Sequence, residues 1–270
     1  MIQIDTHMHT HFSGDAFTPP REMAEKAVEI GLKAITITDH LDFDYPSSLG
    51  LNAFVPDKAA YRQAVAETRE LFCGKLDIYY GIEIGLIPSQ KQQVLDYIKD
   101  EPYDFIIGST HVANGKDPYQ PGYFDGITDR EGYIAYFKAV QKNVEVFDEY
   151  NVFGHLDYVI RYGKRKDLDY RVEDYREWFE PTLKALIAKG KGIEINTGGW
   201  SRGISQPHPH PDIIRLYHEL GGEIITVGSD AHKPKYIGDY FDRAAEILKD
   251  AGFRYYAYFV QQKPVFQPLA

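Results

Sequence analysis

Residues 223–232, EIITVGSDAH, join a short run of β-branched residues to a cluster of polar ones. The chain contains six further segments of this kind, in which a short apolar run ends at turn-forming or polar residues. The six apolar runs lie at residues 2–5, 34–37, 77–80, 105–107, 152–153 and 192–195. Short apolar runs bounded by turn signals are typical of buried parallel strands.

Amphipathic helices are predicted between these strands, at residues 19–30, 57–72, 89–99, 130–149, 172–189, 210–220 and 238–251. Alternating strands and helices indicate a parallel sheet with its helices outside. We therefore predict an α/β fold, a single-domain (β/α)7 barrel over residues 1–270 that is TIM-like but distorted and one unit short. An open, doubly wound sheet is the alternative. Long loops are expected at residues 118–132 and 161–171.

The composition excludes several classes of protein. The chain has 270 residues, 43% of them hydrophobic, and a net charge of -10, which disfavours nonspecific binding to nucleic acid or to anionic membranes. With Cys73 alone, neither an intrachain disulfide nor a cysteine-based zinc site is possible. No signal peptide or apolar run of roughly 18 residues is visible. We expect a cytoplasmic protein with no nucleic-acid or membrane partner.

Histidines and carboxylates dominate the polar clusters, which follow the strands where barrel enzymes build their active sites. His7 and His9 stand two apart on a strand, so both rings face the same way. The ligands predicted by this pattern are His7, His9, Asp15, His40, Glu83, His111, His155, Asp230 and His232. Two divalent ions can share Glu83, and Asp15, His40 and His232 remain for a third. Nitrogen and oxygen ligands without thiolate suit Zn, Mn or Fe(II).

A second His-x-His pattern occurs in Pro207–Pro211, where prolines alternate with His208 and His210. Proline cannot donate to a strand ladder. We interpret this segment as a rigid lead-in to a helix rather than as a metal site.

The motifs together resemble those of a known family. They are His7-x-His9, Thr38-Asp39-His40, Gly81-Ile82-Glu83, Ser109-Thr110-His111, Gly154-His155 and Ser229-Asp230-Ala231-His232. In this order, across residues 5–232, they are similar to the polymerase and histidinol phosphatase (PHP) family. Residues 154–162 and 194–200 resemble its histidinol-phosphate phosphatase branch in particular.

The resemblance implies a (β/α)7 barrel that binds two or three divalent ions. It places His7, His9, Glu83 and Asp230 on the first ion. Glu83, His111 and His155 would hold the second, and His40 and His232 the third. Many members have a further histidine near position 15, where this chain has Asp15. The implied reaction is the hydrolysis of L-histidinol phosphate to L-histidinol and phosphate in histidine biosynthesis.

Clustered divalent ions suit phosphomonoester hydrolysis, because they lower the pKa of a bound water, hold the phosphoryl oxygens and offset charge on the leaving oxygen. We expect a hydroxide that bridges the two ions on Glu83 to attack phosphorus in line. Asp230 and His232 are the candidate proton donors. Arg161 and Arg202 follow the fifth and sixth strands and are expected to bind phosphate, with Asn114 and Lys116 as further candidates.

Three alternatives remain open from the sequence. The first is a phosphoesterase of the same fold that acts on phosphotyrosine or a nucleotide. The second is an amidohydrolase-like barrel that cleaves C–N bonds, although that class usually has a lysine ligand where this chain has His111. The third is a metal-storage or binding module, which an open site at a barrel mouth disfavours.

Overall fold

The barrel is built from parallel strands in a computed structural model that describes residues 2–46, 49–50 and 52–269. The strands are Ile4–Asp5 (β1), Ala34–Ile37 (β2), His40–Leu41 (β3), Asp77–Gly85 (β4), Phe105–Ser109 (β5), Val152–Phe153 (β6), Gly192–Asn196 (β7) and Ile225–Gly228 (β8). Their order is β1-β2-β4-β5-β6-β7-β8, and β3 pairs with β4 beyond the end of β2. The predicted α/β class and seven-stranded, TIM-like barrel are therefore confirmed.

The first and last strands close the barrel through their backbones. The Thr6 N–H donates to Val227 O at 3.0 Å, and the Asp230 N–H donates to His7 O at 2.8 Å. A parallel bridge between Met8 and Ala231 continues the pairing. Closure brings the beginning and the end of the histidine pattern together, and it excludes the open sheet.

Helices cover the outside of the barrel. They are Pro20–Glu29 (α1), Lys58–Leu71 (α2), Lys91–Ile98 (α3), Asp129–Val146 (α4), Arg176–Ala188 (α5), Gly198–Ser201 (α6), Pro211–Glu219 (α7) and Phe241–Asp250 (α8). In α8, for example, Phe241, Ala244 and Leu248 are buried, as the spacing of one helical face requires. No helix among the described residues is long and apolar enough to cross a membrane.

Three features of the fold differ from the sequence predictions. The expected loop at 118–132 ends earlier, because Thr128 caps α4 and forms a capping box with Glu131. The expected loop at 161–171 overlaps the end of one short 3-10 turn, Tyr158–Tyr162, and contains a second, Lys166–Asp169. A C-terminal hairpin, Tyr255–Val260 (β9) and Lys263–Pro268 (β10), was not predicted. It packs on the barrel through Phe259, whose ring lies 5.1 Å from that of Phe105.

Tyr61 of α2 connects the helical layer to the strands beneath it. Its buried hydroxyl contacts Gly81 O at 2.8 Å and Ile37 O at 3.0 Å, to which it can donate, and it accepts the Asp39 N–H at 3.2 Å. This one hydroxyl therefore bonds to both β2 and β4 close to His40 and Glu83.

We expect Tyr61→Phe to lower the free energy of unfolding by roughly 1–3 kcal/mol, because it leaves the buried Asp39 N–H without its acceptor. Urea unfolding of the metal-free protein measures the effect. Tyr255→Phe, at a side chain that is 48% exposed, is the matched control and should change the value by less than about 0.5 kcal/mol. Equal effects of the two substitutions would contradict the role of Tyr61.

Candidate metal centre

Glu83 lies at the centre of the barrel mouth and is completely buried. The strand predicted to end before it runs on to Gly85, so the side chain points from within β4. Its Oε1 accepts the Ser109 hydroxyl at 2.7 Å. Five imidazole nitrogens surround the two oxygens: His155 Nε2 at 2.9 Å and His111 Nε2 at 3.3 Å from Oε1, and His40 Nδ1 at 2.9 Å, His7 Nε2 at 3.3 Å and His9 Nε2 at 3.6 Å from Oε2. A carboxylate in this position can bridge two cations.

The charges in this cluster depend strongly on one another. Burial raises the pKa of Glu83, but the neighbouring His7, His111 and His40 outweigh it and hold the pKa well below its usual range. Burial lowers the pKa of His40, but the charges of Glu83 and Asp15 prevail and raise it to about 9. Burial also lowers the pKa of His7 and of His111, but the carboxylates that face them outweigh it and raise both pKa values, so protons on these three imidazoles balance Glu83 when no metal is bound.

The nitrogen and oxygen atoms at the centre of the cluster are better placed to bind cations than to form hydrogen bonds with one another. His7 Nε2 and His9 Nε2 are 3.0 Å apart and aim at the same space. Glu83 Oε2 and His40 Nδ1 approach to 2.9 Å, yet neither has a hydrogen bond of suitable geometry to any described residue. Buried polar atoms are normally satisfied. Converging nitrogen and oxygen atoms that lack such partners are what divalent metal ions require.

Three groups of these side chains place ligand atoms within 4.8 Å of one another among the described residues. The groups are His7, His9 and Asp230; His40, Glu83 and His111; and His9, His40 and His232. At the mouth, Asp15 Oδ2 lies 3.2 Å from His232 Nε2, and Asp15 Oδ1 lies 3.8 Å from His40 Nε2. All nine predicted ligands therefore lie in one cluster, and their roles as ligands stay a prediction.

The outer nitrogens of three of these histidines contact oxygens. Glu194 Oε1 lies 2.6 Å from His7 Nδ1, and Asp42 Oδ1 lies 2.8 Å from His111 Nδ1. His9 Nδ1 lies 3.1 Å from Ser13 Oγ, which itself donates to Asp39 at 2.6 Å. Such oxygens fix the outer nitrogen as the protonated one, so that the inner nitrogen offers a lone pair.

Two arginines reach the cavity above this cluster. Arg202 Nη1 donates to Asp230 Oδ2 at 3.0 Å. Arg161 is 9% exposed, and its guanidinium lies 4.3 Å from the ring centre of Tyr158. Its Nη1 has no hydrogen-bond partner among the described residues. Both arginines line a cavity of about 740 Å³, together with His155, Asp230 and His232. The cavity thus combines a cluster of metal-ligand type with two cations.

Asn114 and Lys116, which we expected to bind phosphate, lie elsewhere. After His111 the chain makes a tight turn that pairs Ala113 with Lys116. Asn114 lines a separate surface cavity, and the exposed Lys116 Nζ donates to Gly122 O at 3.0 Å. Neither residue lines the cavity that Arg161 and Arg202 share, because this turn directs them away from it, so the structure does not support them as phosphate-binding residues.

The segment Pro207–Pro211 leads into a helix, as predicted. His208 Nδ1 lies 2.6 Å from Asp157 Oδ1. His210 caps α7, since its side chain accepts the Asp212 N–H, and the helix begins at Pro211. Neither histidine belongs to the three groups found among the described residues.

Sequence reasoning missed the residues behind the cluster. Glu194, Asp39 and Ser13 contact the predicted ligands or connect them, but none of them was predicted as a site residue. For Glu194 a signal was available, because it is a carboxylate within an otherwise apolar strand, as Glu83 is. Ser13 offered no such signal.

Comparison with known proteins agrees with this geometry. The PHP domain family matches residues 5–198. A histidinol-phosphatase from Lactococcus lactis is 32% identical over 97% of this chain and 96% of its own length. A probable histidinol-phosphatase from Clostridium acetobutylicum is 28% identical over 93% of this chain and 94% of its own.

A solved structure resembles the whole molecule. It is the histidinol phosphate phosphatase of Lactococcus lactis, crystallised with zinc, L-histidinol and phosphate. It superposes with a TM-score of 0.89 at 32% identity, covering 97% of this chain and 98% of that one. The similarity therefore includes the elements that carry the cluster.

We expect zinc affinity to rise with pH between about 6 and 8, because zinc must displace protons from His40, whose pKa is about 9 in the metal-free protein. For each proton that zinc displaces, the affinity should rise roughly tenfold per pH unit. Competition with a chromogenic chelator, corrected for the chelator's own protonation, measures this slope. His218→Gln, which alters a histidine outside the cluster, should leave it unchanged. A pH-independent affinity would contradict the protonation that we describe.

Proposed function

The chain belongs to the PHP family, and from this premise we propose that it is a metal-dependent phosphatase that converts L-histidinol phosphate to L-histidinol and phosphate. The observation that carries the proposal is the cavity in which Arg161 and Arg202 face the cluster around Glu83. Cations on one side and metal-ligand groups on the other suit a phosphoryl group. The similarity to a phosphatase that binds zinc, L-histidinol and phosphate supports the same substrate.

The ligands proposed for the ions are the nine clustered residues. His7, His9, Glu83 and Asp230 would hold one ion, Glu83, His111 and His155 a second, and His40, His232 and Asp15 a third. Zinc is the first candidate, since the similar structure contains it, and Mn or Fe suits the same donors. When bound, the ions supply Lewis acidity, which activates water, holds the phosphoryl oxygens and offsets charge on the leaving oxygen.

The protein's own residues orient the phosphate. Asp230 Oδ2 accepts from Arg202 Nη1, which fixes the guanidinium at the cavity wall. Arg161 is held by its contacts with Tyr158 and Tyr162, at 4.3 and 4.9 Å from their ring centres. A guanidinium fixed in this way binds phosphate oxygens at little further entropic cost.

Asp230 and His232 also line the cavity. Burial raises the pKa of Asp230, but the Arg202 guanidinium outweighs it and holds the pKa well below its usual range, so Asp230 has no proton to donate. We therefore assign proton donation to the leaving oxygen to His232, in the form of the enzyme in which no ion occupies the site that it shares with His40.

The rest of the cavity suits an aromatic, cationic leaving group. Tyr45, Tyr158 and Tyr162 line it, and their rings offer surface to an imidazole. Asp117 also lines the cavity, where it accepts the hydroxyl of Tyr158 at 3.1 Å. Asp42 is a second acid that lines the cavity, but its Oδ1 lies 2.8 Å from Nδ1 of the predicted ligand His111. We assign the ammonium of histidinol to Asp117, because the side chains that contact its carboxylate are the neutral hydroxyls of Tyr45 and Tyr158, whereas Asp42 contacts a histidine of the cluster.

We also place the enzyme in the cytoplasm, as the sequence predicts.

We expect kcat/KM for histidinol phosphate to exceed that for p-nitrophenyl phosphate, phosphotyrosine and a mononucleotide by orders of magnitude, because only histidinol carries both the imidazole and the ammonium. Phosphate release with added zinc or manganese, alongside elemental analysis for bound metal, tests this. Comparable kcat/KM values across the panel would leave a metal-dependent phosphatase and overturn the substrate. No release from metal-loaded protein would overturn the reaction.

Arg202→Gln should lower kcat/KM by roughly 10²-fold or more, because it removes a fixed donor that faces the phosphoryl group. The matched control is Arg171→Gln, since the Arg171 side chain is 78% exposed and pairs with Asp174 on the surface. Steady-state kinetics at saturating zinc, with metal content checked for each variant, measures the difference. Wild-type kcat/KM in Arg202→Gln would show that this arginine does not touch the phosphate.

A further inference from the structure

Glu194 of β7 is a completely buried carboxylate that is outside the proposed set of ligands. Its Oε1 lies 2.6 Å from His7 Nδ1. Its Oε2 accepts the backbone N–H of His155 at 3.2 Å and the side-chain amide of Asn196 at 3.1 Å. One carboxylate thus holds two proposed ligands, His7 and His155, which we assign to two different ions.

The barrel has a space made for this side chain. A Cβ at position 228 would come within 2.4 Å of Glu194 Oε1 and within 2.3 Å of His7 Cβ. Only glycine at 228 leaves room for the carboxylate and the imidazole together. The pair therefore depends on the neighbouring strand β8 as well as on its own two strands.

Glu194 determines which nitrogen of His7 faces the cluster as an acceptor. When Nδ1–H donates to Glu194, the lone pair of a neutral His7 is on Nε2. That atom lies 3.3 Å from Glu83 Oε2 and 3.0 Å from His9 Nε2, at the point where the ligand atoms converge. The contact therefore prepares His7 to bind a cation.

The same carboxylate supports the backbone at His155. This residue has a positive φ of 20°, which few non-glycine residues adopt. The hydrogen bond from its N–H to Glu194 Oε2 helps to hold that conformation, in which His155 Nε2 lies 2.9 Å from Glu83 Oε1. Glu194 therefore contacts one histidine beside each oxygen of Glu83, His7 beside Oε2 and His155 beside Oε1.

The neighbours of Glu194 require a side chain that accepts hydrogen bonds at both of its terminal atoms. His7 Nδ1–H, the His155 N–H and the Asn196 amide all donate toward Glu194. Glutamine has nearly the same shape, but its amide NH₂ must face one of these donors in either orientation. If the NH₂ faces His7, it favours the tautomer whose Nε2 carries the proton and cannot bind metal.

We propose that Glu194 is a positioning residue that orients His7 and His155 for two metal ions. The inference rests on the metal-dependent activity proposed above, but it concerns metal affinity and not turnover. Groups behind metal-bound histidines typically contribute 10- to 100-fold in affinity. Glu194 acts on two ligands, so its loss should weaken the binding of two ions.

The test is the zinc affinity of Glu194→Gln, measured by chelator competition and elemental analysis. Asp157→Asn is the matched control, because Asp157 is also completely buried, lies 2.6 Å from His208 Nδ1 and accepts the His210 N–H at 2.9 Å. We expect a 10- to 100-fold loss of affinity in Glu194→Gln and less than a threefold change in Asp157→Asn. Equal losses in the two variants, or wild-type affinity in Glu194→Gln, would overturn the proposal, whether or not histidinol phosphate is the substrate.

A measurement on the unaltered protein covers the case in which Glu194→Gln fails to fold. Nitrogen-15 spectra of the zinc-loaded protein, with histidine labelled, report the tautomer of each ring. We expect His7 to carry its proton on Nδ1 and to bind zinc through Nε2. A proton on Nε2, or zinc bound through Nδ1, would overturn the role of Glu194.

Discussion

A carboxylate buried among five imidazoles is the constraint on which the rest of the site depends. Burying the charge of Glu83 is costly unless cations compensate it. Each nearby imidazole nitrogen is within 3.6 Å of one of its oxygens, so the compensation is local. Protons can supply the positive charge, but they leave Glu83 Oε2 and His40 Nδ1 without suitable hydrogen bonds to the described residues. Divalent cations satisfy the same atoms more completely.

The barrel is what makes this concentration of polar groups possible. Parallel strands bring their carboxyl ends to one rim, and closure between β1 and β8 places His7 beside Asp230. Glycines then make room for the carboxylates behind the ligands. A Cβ at position 85 would come within 1.7 Å of Asp42 Oδ1, the atom that lies 2.8 Å from His111 Nδ1. Gly85 and Gly228, near the strand ends, therefore leave room for Asp42 and Glu194, the carboxylates that contact predicted ligands.

Most of the fold and of the inner cluster could be predicted from the sequence, since both follow from short-range patterns. Strand periodicity places His7 and His9 on one face, and the barrel brings Glu83, His111 and His155 to the same rim. The residues behind the cluster were harder to predict, because a contact such as that of Glu194 with His7 joins residues 187 positions apart. Asn114 and Lys116 were misplaced because the turn after His111 directs them away from the cavity. The β9–β10 hairpin lies outside the strand–helix alternation on which the prediction depended.

We expect Glu83 to be a ligand that two ions share, and anomalous X-ray scattering at the zinc absorption edge tests this most directly. Crystals of the zinc-loaded protein should give two peaks within coordination distance of the Glu83 carboxylate, one beside His7 and His9 and the other beside His111 and His155. A third peak is expected beside His40 and His232. Fully loaded crystals with no peak at Glu83, or with zinc only elsewhere, such as at His208 and His210, would contradict this role of Glu83.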